Sequence, residues 1–290
     1  MILIEQSASG TLYIVATPIG NLEDITNRAL RILREVDLVA AEDTRHSTKL
    51  LQHFAINTPL KACHDHNERE QQNYFVQLLL AGKNIALISD AGTPLISDPG
   101  FHLVKQAQQQ GIKVVPIPGA CAVIAALSVA GLPSDRFSFE GFLPAKSSTR
   151  KATLEALKEE QRTIIFYEAP HRLLESLQDL ATIFGANRQA VLARELTKTF
   201  ETIKNAPLAE LVQWVEADSN QQRGECVLLI EGWKAPEQAE INQQTERVLK
   251  ILLVDLPVKQ AAALAAEITG ERKNKLYQYA LQLTNNNNKQ

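Results

Sequence analysis

The 290-residue chain has only three cysteines, Cys63, Cys121 and Cys226, and no two of them form a CxxC pair. That excludes a disulfide framework and a zinc ribbon, and it suits a reducing compartment, the cytoplasm. Positive charge is not in surplus either, since the formal net charge is −3. A protein that gripped nucleic acid by bulk charge would be basic, so any such site here is local or assembled from several chains. The start, Met1-Ile2-Leu3-Ile4-Glu5, lacks the basic flank and long apolar run of a signal peptide. No GxGxxG follows the first strand, which argues against an ordinary dinucleotide Rossmann site. The absence of GxxxxGKS/T, GxSxG and HExxH argues against a P-loop hydrolase, an α/β-hydrolase and a zinc protease. There is no internal repeat of solenoid period. One uncharged run, the nineteen residues from Val114 to Leu132, approaches the length of a membrane span. Pro116, Pro118, Gly119 and Gly131 break it, so it reads as a buried strand, a turn and a buried helix over 120–130, with no membrane segment.

What the chain does have is a recurring strand ending. Asn84-Ile85-Ala86-Leu87-Ile88 opens as a buried strand and breaks into Ser89-Asp90-Ala91-Gly92-Thr93-Pro94-Leu95-Ile96-Ser97-Asp98-Pro99-Gly100. Tyr13-Ile14-Val15-Ala16 runs likewise into Thr17-Pro18-Ile19-Gly20-Asn21, and Val114-Val115-Pro116-Ile117 into Pro118-Gly119-Ala120-Cys121-Ala122. Strands that stop in Gly, Pro and acids are how open α/β sheets build ligand crevices at their carboxyl edge. The strands are almost wholly apolar and alternate with helical patterns over 27–35, 44–53, 71–81, 100–110 and 120–130. This predicts an α/β domain over 1–131 with a parallel sheet covered on both faces. From Leu132 the pattern changes. Residues 137–142 alternate like a half-buried strand, 163–167 and 190–193 are buried strands, and 199–204 and 226–231 read as further strands. A second α/β domain with a mixed sheet is expected over 132–233. A linker at 234–241, a small helical module at 242–284 and a disordered polar tail at 285–290 follow.

Six motifs, taken in order, carry a resemblance. They are Ala41-Glu42-Asp43-Thr44-Arg45, Ser89-Asp90-Ala91-Gly92-Thr93-Pro94, Ser97-Asp98-Pro99-Gly100, Phe139-Glu140-Gly141-Phe142-Leu143-Pro144, Tyr167-Glu168-Ala169-Pro170-His171-Arg172 and Arg194-Glu195-Leu196-Thr197-Lys198. Together they resemble the bacterial ribosomal RNA small-subunit methyltransferase I family, within the tetrapyrrole-methylase-like class of S-adenosylmethionine (SAM) methyltransferases. The resemblance runs from Gly10 to Gly232, and the Lys273–Tyr279 region is similar to the family's C-terminal extension. It implies two α/β domains of the tetrapyrrole methylase type with SAM in the cleft between them. The implied reaction is methylation of the ribose 2′-oxygen of a cytidine in the decoding region of 16S rRNA, in the small ribosomal subunit, by a homodimer. It places SAM against Pro18, Asp90, Gly92, Thr93, Ile96 and Ser97, then Cys121 and Ala122, then Phe166, Tyr167 and Leu196. One departure stands out. Tetrapyrrole enzymes of the class usually carry Gly-Asp-Pro where this chain has Gly92-Thr93-Pro94, so cofactor contacts do not transfer directly from them.

Methyl transfer to a ribose hydroxyl needs the oxygen held in line behind the methyl, and a base or a charge for the proton it loses. The candidate catalytic residues are Glu42, Asp43, Glu168 and His171, with Asp90 as a further carboxylate. Glu42 and Asp43 follow a buried strand and so stand at its carboxyl edge; equally, Asp43 suits the cap of the helix that starts at Thr44. Glu168 with His171 reads as a base and its orienter, or Glu168 pairs with Arg172 at i, i+4. For RNA, the expected contacts are Arg45, Lys49, Arg172, Arg194 and Lys198, with Lys273 and Lys275 beside Tyr277 in the helical tail. That tail patch equally suits a dimer or domain clamp, and Lys146, Arg150 and Lys151 equally suit a solvated helix face. His64-Asp65-His66 is too sparse for a metal site, and no metal is expected. Two other readings of the same residues are a porphyrinoid methyltransferase and a ribosome-assembly factor that binds RNA and SAM without turnover.

Overall fold

The computed structural model describes residues 9–63, 68–234 and 241–287. The expectations placed on Met1–Glu5, on His64-Asp65-His66, on 235–240 and on 288–290 lie outside the described residues. The chain up to Trp233 forms one compact unit, and from Lys234 a second.

The first half of the large unit alternates strand and helix: β1 (Thr11–Val15), α1 (Asn27–Glu35), β2 (Leu38–Ala41), α2 (Thr44–His53), β3 (Leu60–Ala62), α3 (Glu68–Leu80), β4 (Ile85–Ile88), α4 (Phe101–Gln109), β5 (Lys113–Ile117) and α5 (Ala122–Val129). The strands pair in parallel in the order β3-β2-β4-β1-β5. Because β1 lies between β4 and β5, the three Gly/Pro loops leave the sheet side by side. Successive side chains of β4 point to opposite faces. Ala86 and Ile88 pack with Ile32, Leu33 and Leu51 of α1 and α2, while Ile85 and Leu87 pack with Phe75, Leu79 and Leu103 of α3 and α4. Thr26 caps α1, its Oγ1 accepting from the Ala29 N–H at 3.1 Å. The sequence pattern misses β3, a three-residue edge strand with no fully buried position.

The second half holds β6 (Phe137–Phe142), α6 (Ser147–Leu157), β7 (Thr163–Glu168), α7 (Leu173–Phe184), β8 (Gln189–Arg194), β9 (Thr202–Pro207), α8 (Leu208–Ala217) and β10 (Cys226–Ile230). Its sheet runs β6-β7-β10-β8-β9, with only β6 and β7 parallel. Ile164, Phe166, Leu192 and Leu228 face Leu177, Leu180 and Leu211 of α7 and α8. Ile165, Val191, Val227 and Leu229 face Val123, Ala126 and Leu127 of α5. The uncharged run is therefore β5, a turn and an eight-residue helix that joins the halves. Among the described residues no helix is long and apolar enough to cross a membrane.

The second unit is three helices, α9 (Gln243–Asp255), α10 (Val258–Thr269) and α11 (Lys273–Asn287), around Leu249, Ala261, Ala262, Ala265, Leu276 and Ala280. Gly270, at φ +75°, ends α10 in the left-handed conformation. Helix α11 runs to Asn287, into the polar stretch where disorder was expected.

Candidate active site

The strand-end loops are stitched together by backbone. Thr17 N–H donates to the Gly92 carbonyl at 2.8 Å, and Gly92 N–H returns a bond to the Thr17 carbonyl at 3.1 Å. Thr93 Oγ1 donates to the Ala120 carbonyl at 3.0 Å, and Asp43 N–H to Asp90 Oδ1 at 3.1 Å. Gly92 has φ +84°, and a Cβ there would stand 3.2 Å from Ile19 Cγ2. Only glycine lets the two loops approach this closely without strain. Leu95 and Ser97, at φ 73° and 67°, hold the same loop in a conformation that side chains resist. From the second half come the end of β7 and the start of β10, whose antiparallel register sets Cys226 beside Glu168 and Val227 beside Tyr167.

These elements enclose a cavity of about 420 Å³, inside the roughly 300–1,000 Å³ range of small-molecule sites. Five carboxylate residues border it, Glu42, Asp90, Asp98, Glu168 and Glu225, and among the described residues no Lys, Arg or His lines it. Burial pushes the Asp98 carboxyl up, and the nearby Asp90 charge adds to this against a hydrogen bond from Ser89. Burial likewise raises the Tyr167 phenol, and it pushes the Cys226 thiol up to about 12.

Of the residues expected to hold SAM, Asp90, Gly92, Thr93, Ile96, Ser97, Cys121, Ala122, Tyr167 and Leu196 line the cavity. Phe166 does not. Adjacent strand residues point to opposite faces, and Phe166 lies wholly in the core under α7. Pro18 lines a neighbouring groove instead. Among the catalytic candidates, Glu42 borders the cavity. Asp43 caps α2 instead, its Oδ1 accepting from the Arg45 N–H at 2.8 Å. The Arg45 guanidinium holds its carboxyl well below the usual range. Glu168 borders the cavity, but its carboxylate is fully buried and taken up elsewhere. It accepts from Ala169 N–H at 2.8 Å and Ser176 Oγ at 2.5 Å, and pairs with Arg172 at 2.9 Å. His171 is exposed and outside the lining. The base-and-orienter reading of Glu168 and His171 is thus replaced by the i, i+4 pair. Asp98, Glu225 and Cys226 are lining residues that the sequence reading did not single out as site residues. The signal for Glu225 and Cys226 is the pairing of β10 with β7, which no local pattern carries.

The family model for tetrapyrrole (corrin/porphyrin) methylases matches residues 11–212, and that for the RsmI C-terminal HTH domain matches residues 239–284. Ribosomal RNA small subunit methyltransferase I of Pseudomonas aeruginosa is 69% identical over 276 residues, covering 95% of this chain and 98% of the relative. The Escherichia coli O157:H7 protein of that name is 58% identical, covering 95% and 96%. The chain belongs to the ribosomal RNA small subunit methyltransferase I family. Uroporphyrin-III-C-methyltransferase from Thermus thermophilus shares the fold, with a TM-score of 0.55 at 19% identity over 77% of this chain and 94% of its own. A structure of that enzyme complexed with S-adenosylhomocysteine gives 0.53 at 17% identity, over 77% and 97%.

SAM is the methyl donor of this class of methyltransferases. The cavity fits it in volume, in the bare backbone at Gly92, and in lining carboxylates such as Asp90 and Asp98 that suit a sulfonium and an ammonium. The family motifs that looked like RNA contacts divide. Arg194 is buried, and its guanidinium donates to Gln221 Oε1, the Arg223 and Phe200 carbonyls and Thr202 Oγ1 at 3.0–3.3 Å. It braces the chain and is not free for phosphate, and Arg172 is held by Glu168. Arg150 is also buried, with Nε 2.7 Å from Asp179 Oδ2. Arg45 stands exposed in its pair with Asp43. Lys49 and Lys198 line the groove that holds Pro18. In the helical unit, Lys273 and Lys275 share a shallow depression with Arg272, and Lys275 pairs with Glu271 at 3.3 Å.

Proposed function

We propose that this family member transfers the methyl group of SAM to the ribose 2′-oxygen of a cytidine in 16S rRNA, acting in the cytoplasm on the small ribosomal subunit as a homodimer. The reading is carried by one observation. A cavity bordered by five carboxylate residues, and by no Lys, Arg or His among the described residues, opens where the loops after β1, β4 and β5 meet the end of β7, in a chain with small-subunit rRNA methyltransferase relatives. When bound, SAM supplies an electrophilic methyl on a positively charged sulfur. The protein holds and orients. The backbone at Ala91 and Gly92, clamped by the Thr17 pair, gives the ligand a surface without a side chain at Gly92, while Tyr167, Leu196 and Val227 form an apolar wall that excludes water. The hydroxyl that accepts the methyl loses a proton, and Glu42 and Asp98 are the lining carboxylates assigned to take it. The raised pKa of Asp98 brings it nearer the range in which a general base works at neutral pH. A dimer supplies what a chain of net charge −3 lacks, a basic RNA track assembled from two copies. The porphyrinoid alternative rests on the broad tetrapyrrole methylase family model and on likenesses of fold at 19% identity and below, against rRNA methyltransferase relatives at 69% and 58%.

The test uses methyl-labelled SAM with undermethylated small subunits, followed by nuclease digestion and mass spectrometry. Label on one cytidine ribose is the expected result. No label on subunits or free rRNA, with SAM still bound, overturns the reading.

A further inference from the structure

Beside the cavity lies a groove of about 470 Å³ that shares Ile19, Asp90, Ala91 and Glu225 with it. The two are contiguous, but their walls differ in charge. The wall that belongs to the groove alone is α2, which presents His46, Lys49 and His53 to it. Those positions, i, i+3 and i+7, form one face of a helix. All three are exposed. Neither the His46 ring nor the Lys49 ammonium has a hydrogen-bond or ion-pair partner among the described residues. The opposite face of α2 buries Ser47 and Leu51, and Asp43 caps its start, so the basic face is held in place.

Lys198 reaches the groove from the other half. Burial works against its charge, but Glu195 at 2.8 Å and Glu225 at 2.9 Å outweigh that and hold it protonated. Its charge is already balanced, which leaves Lys49 as the free cation of the groove among the described residues. Pro18, Leu22 and Leu50 give it an apolar floor on which a sugar or base can lie.

We propose that this groove seats the RNA strand beside the cavity, with Lys49 on a phosphate flanking the methylated nucleotide and His46 and His53 along the same track. The inference rests on the rRNA reading and adds the path of the strand. A ribose delivered to the cavity brings its flanking phosphodiesters with it. The cavity's carboxylates repel them, and the Lys49 ammonium on the adjoining face attracts them. Phosphate contacts of this kind fix register and orientation without reading sequence.

The test compares Lys49→Gln, Lys49→Glu and the double variant His46→Gln/His53→Gln with the wild type, as full chains acting on undermethylated small subunits. Three quantities are read: SAM affinity by calorimetry, kcat and KM for the subunit, and the salt dependence of subunit binding. Because the replaced side chains are exposed, melting temperatures are expected to stay within about 2 °C. Lys49→Gln is expected to raise KM about tenfold with SAM affinity unchanged, and to lower the salt slope by about 0.7, the value for one phosphate on a single strand. Lys49→Glu is expected to exceed it, and the histidine pair to raise KM severalfold. An unchanged KM and salt slope in Lys49→Glu, with the wild type methylating normally, overturns the path. A loss of SAM affinity in the Lys49 variants overturns it too, by giving the groove to the cofactor. Failure of the wild type to methylate any rRNA overturns the functional reading beneath it, and is visible before any variant is made.

Discussion

The two sheets of the large unit handle charge in opposite ways. Among the described residues, the buried charged side chains are Arg150, Glu168, Asp179 and Arg194, and all four lie in the second half. The buried polar residues of the first half are Thr17, Ser47 and Ser89. Its acids at the site, Glu42, Asp90 and Asp98, stand beyond the strand ends and border the cavity. The cause lies in how each half fixes its strand ends. The parallel half clamps its loops with bonds that each use at least one backbone group, Thr17 with Gly92, Thr93 with Ala120 and Asp43 with Asp90, and buries no charged side chain in doing so among the described residues. The mixed half uses side-chain networks, Glu168 with Arg172 and Ser176, and Arg194 with four acceptors. The motif acids Glu42, Asp90 and Asp98 therefore border the cavity, while Asp43 caps α2 and the motif residues Glu168 and Arg194 brace the second half.

The hardest test of that contrast is Glu168→Ala. It leaves Arg172 and Ser176 without their buried partner, which costs about 3–5 kcal/mol, or roughly 10 °C of melting temperature in a unit of this size. Glu42→Gln is expected to change stability by less than about 1 kcal/mol. Thermal melts of the two variants decide. A Glu168→Ala protein that melts like the wild type yet does not turn over would restore Glu168 as a catalytic base and erase the contrast.

The next effect is on rate. Glu42→Gln and Asp98→Asn are each expected to lower kcat by about 100-fold, near the floor of general-base contributions, while SAM still binds. Asp98 adds a pH signature. Its carboxyl is raised by burial above the ordinary 3.8, and a base must be deprotonated to work. Activity is thus expected to fall as pH drops through that raised value, sooner than for an ordinary aspartate, and Asp98→Asn is expected to remove that limb. A pH–rate profile that Asp98→Asn leaves unchanged excludes Asp98 as the proton acceptor.

Most of the first half was legible in the sequence because parallel strands announce themselves as apolar runs and their ligand loops as Gly and Pro. The three loops picked out on those grounds are the ones the structure ties together. What was not legible has a common cause. Phe166 and Tyr167 are adjacent in one motif, but a strand sends them to opposite faces, so only Tyr167 meets the cavity. Glu225 and Cys226 arrive through antiparallel pairing of β10 with β7, a fact of topology. Arg194 and Glu168 look like site residues because charge in a motif suggests chemistry, and burial is invisible until the fold is known. The basic face of α2 has a helical spacing that sequence does show, yet its meaning depends on the groove beside it.

A smaller effect is expected at Gly92. Placing a Cβ at φ +84°, 3.2 Å from Ile19 Cγ2, costs about 1–2 kcal/mol. The strain falls on the loop that the backbone clamp holds, so Gly92→Ala is expected to weaken SAM about tenfold. The strand cores are expected to melt near the wild-type temperature. SAM binding as tight as the wild type's in Gly92→Ala would remove this backbone from the cofactor surface, and with it the argument that the first half works through its main chain.

The smallest effect is at Arg45, the motif arginine of the first half. It pairs with Asp43 at 2.8 Å, but its side chain is 89% exposed, and such pairs contribute roughly 0–1 kcal/mol. Arg194, a motif arginine of the second half, is 7% exposed and has four acceptors. Arg45→Ala is therefore expected to leave the melting temperature within about 2 °C, and Arg194→Ala to lower it severalfold more. If Arg45 touches RNA, its removal lowers the salt slope of subunit binding by about 0.7. The stability loss in Arg194→Ala has no such salt signature, because no phosphate reaches a guanidinium enclosed by carbonyls. Equal melting temperatures for the two variants would mean that burial is not what separates the halves.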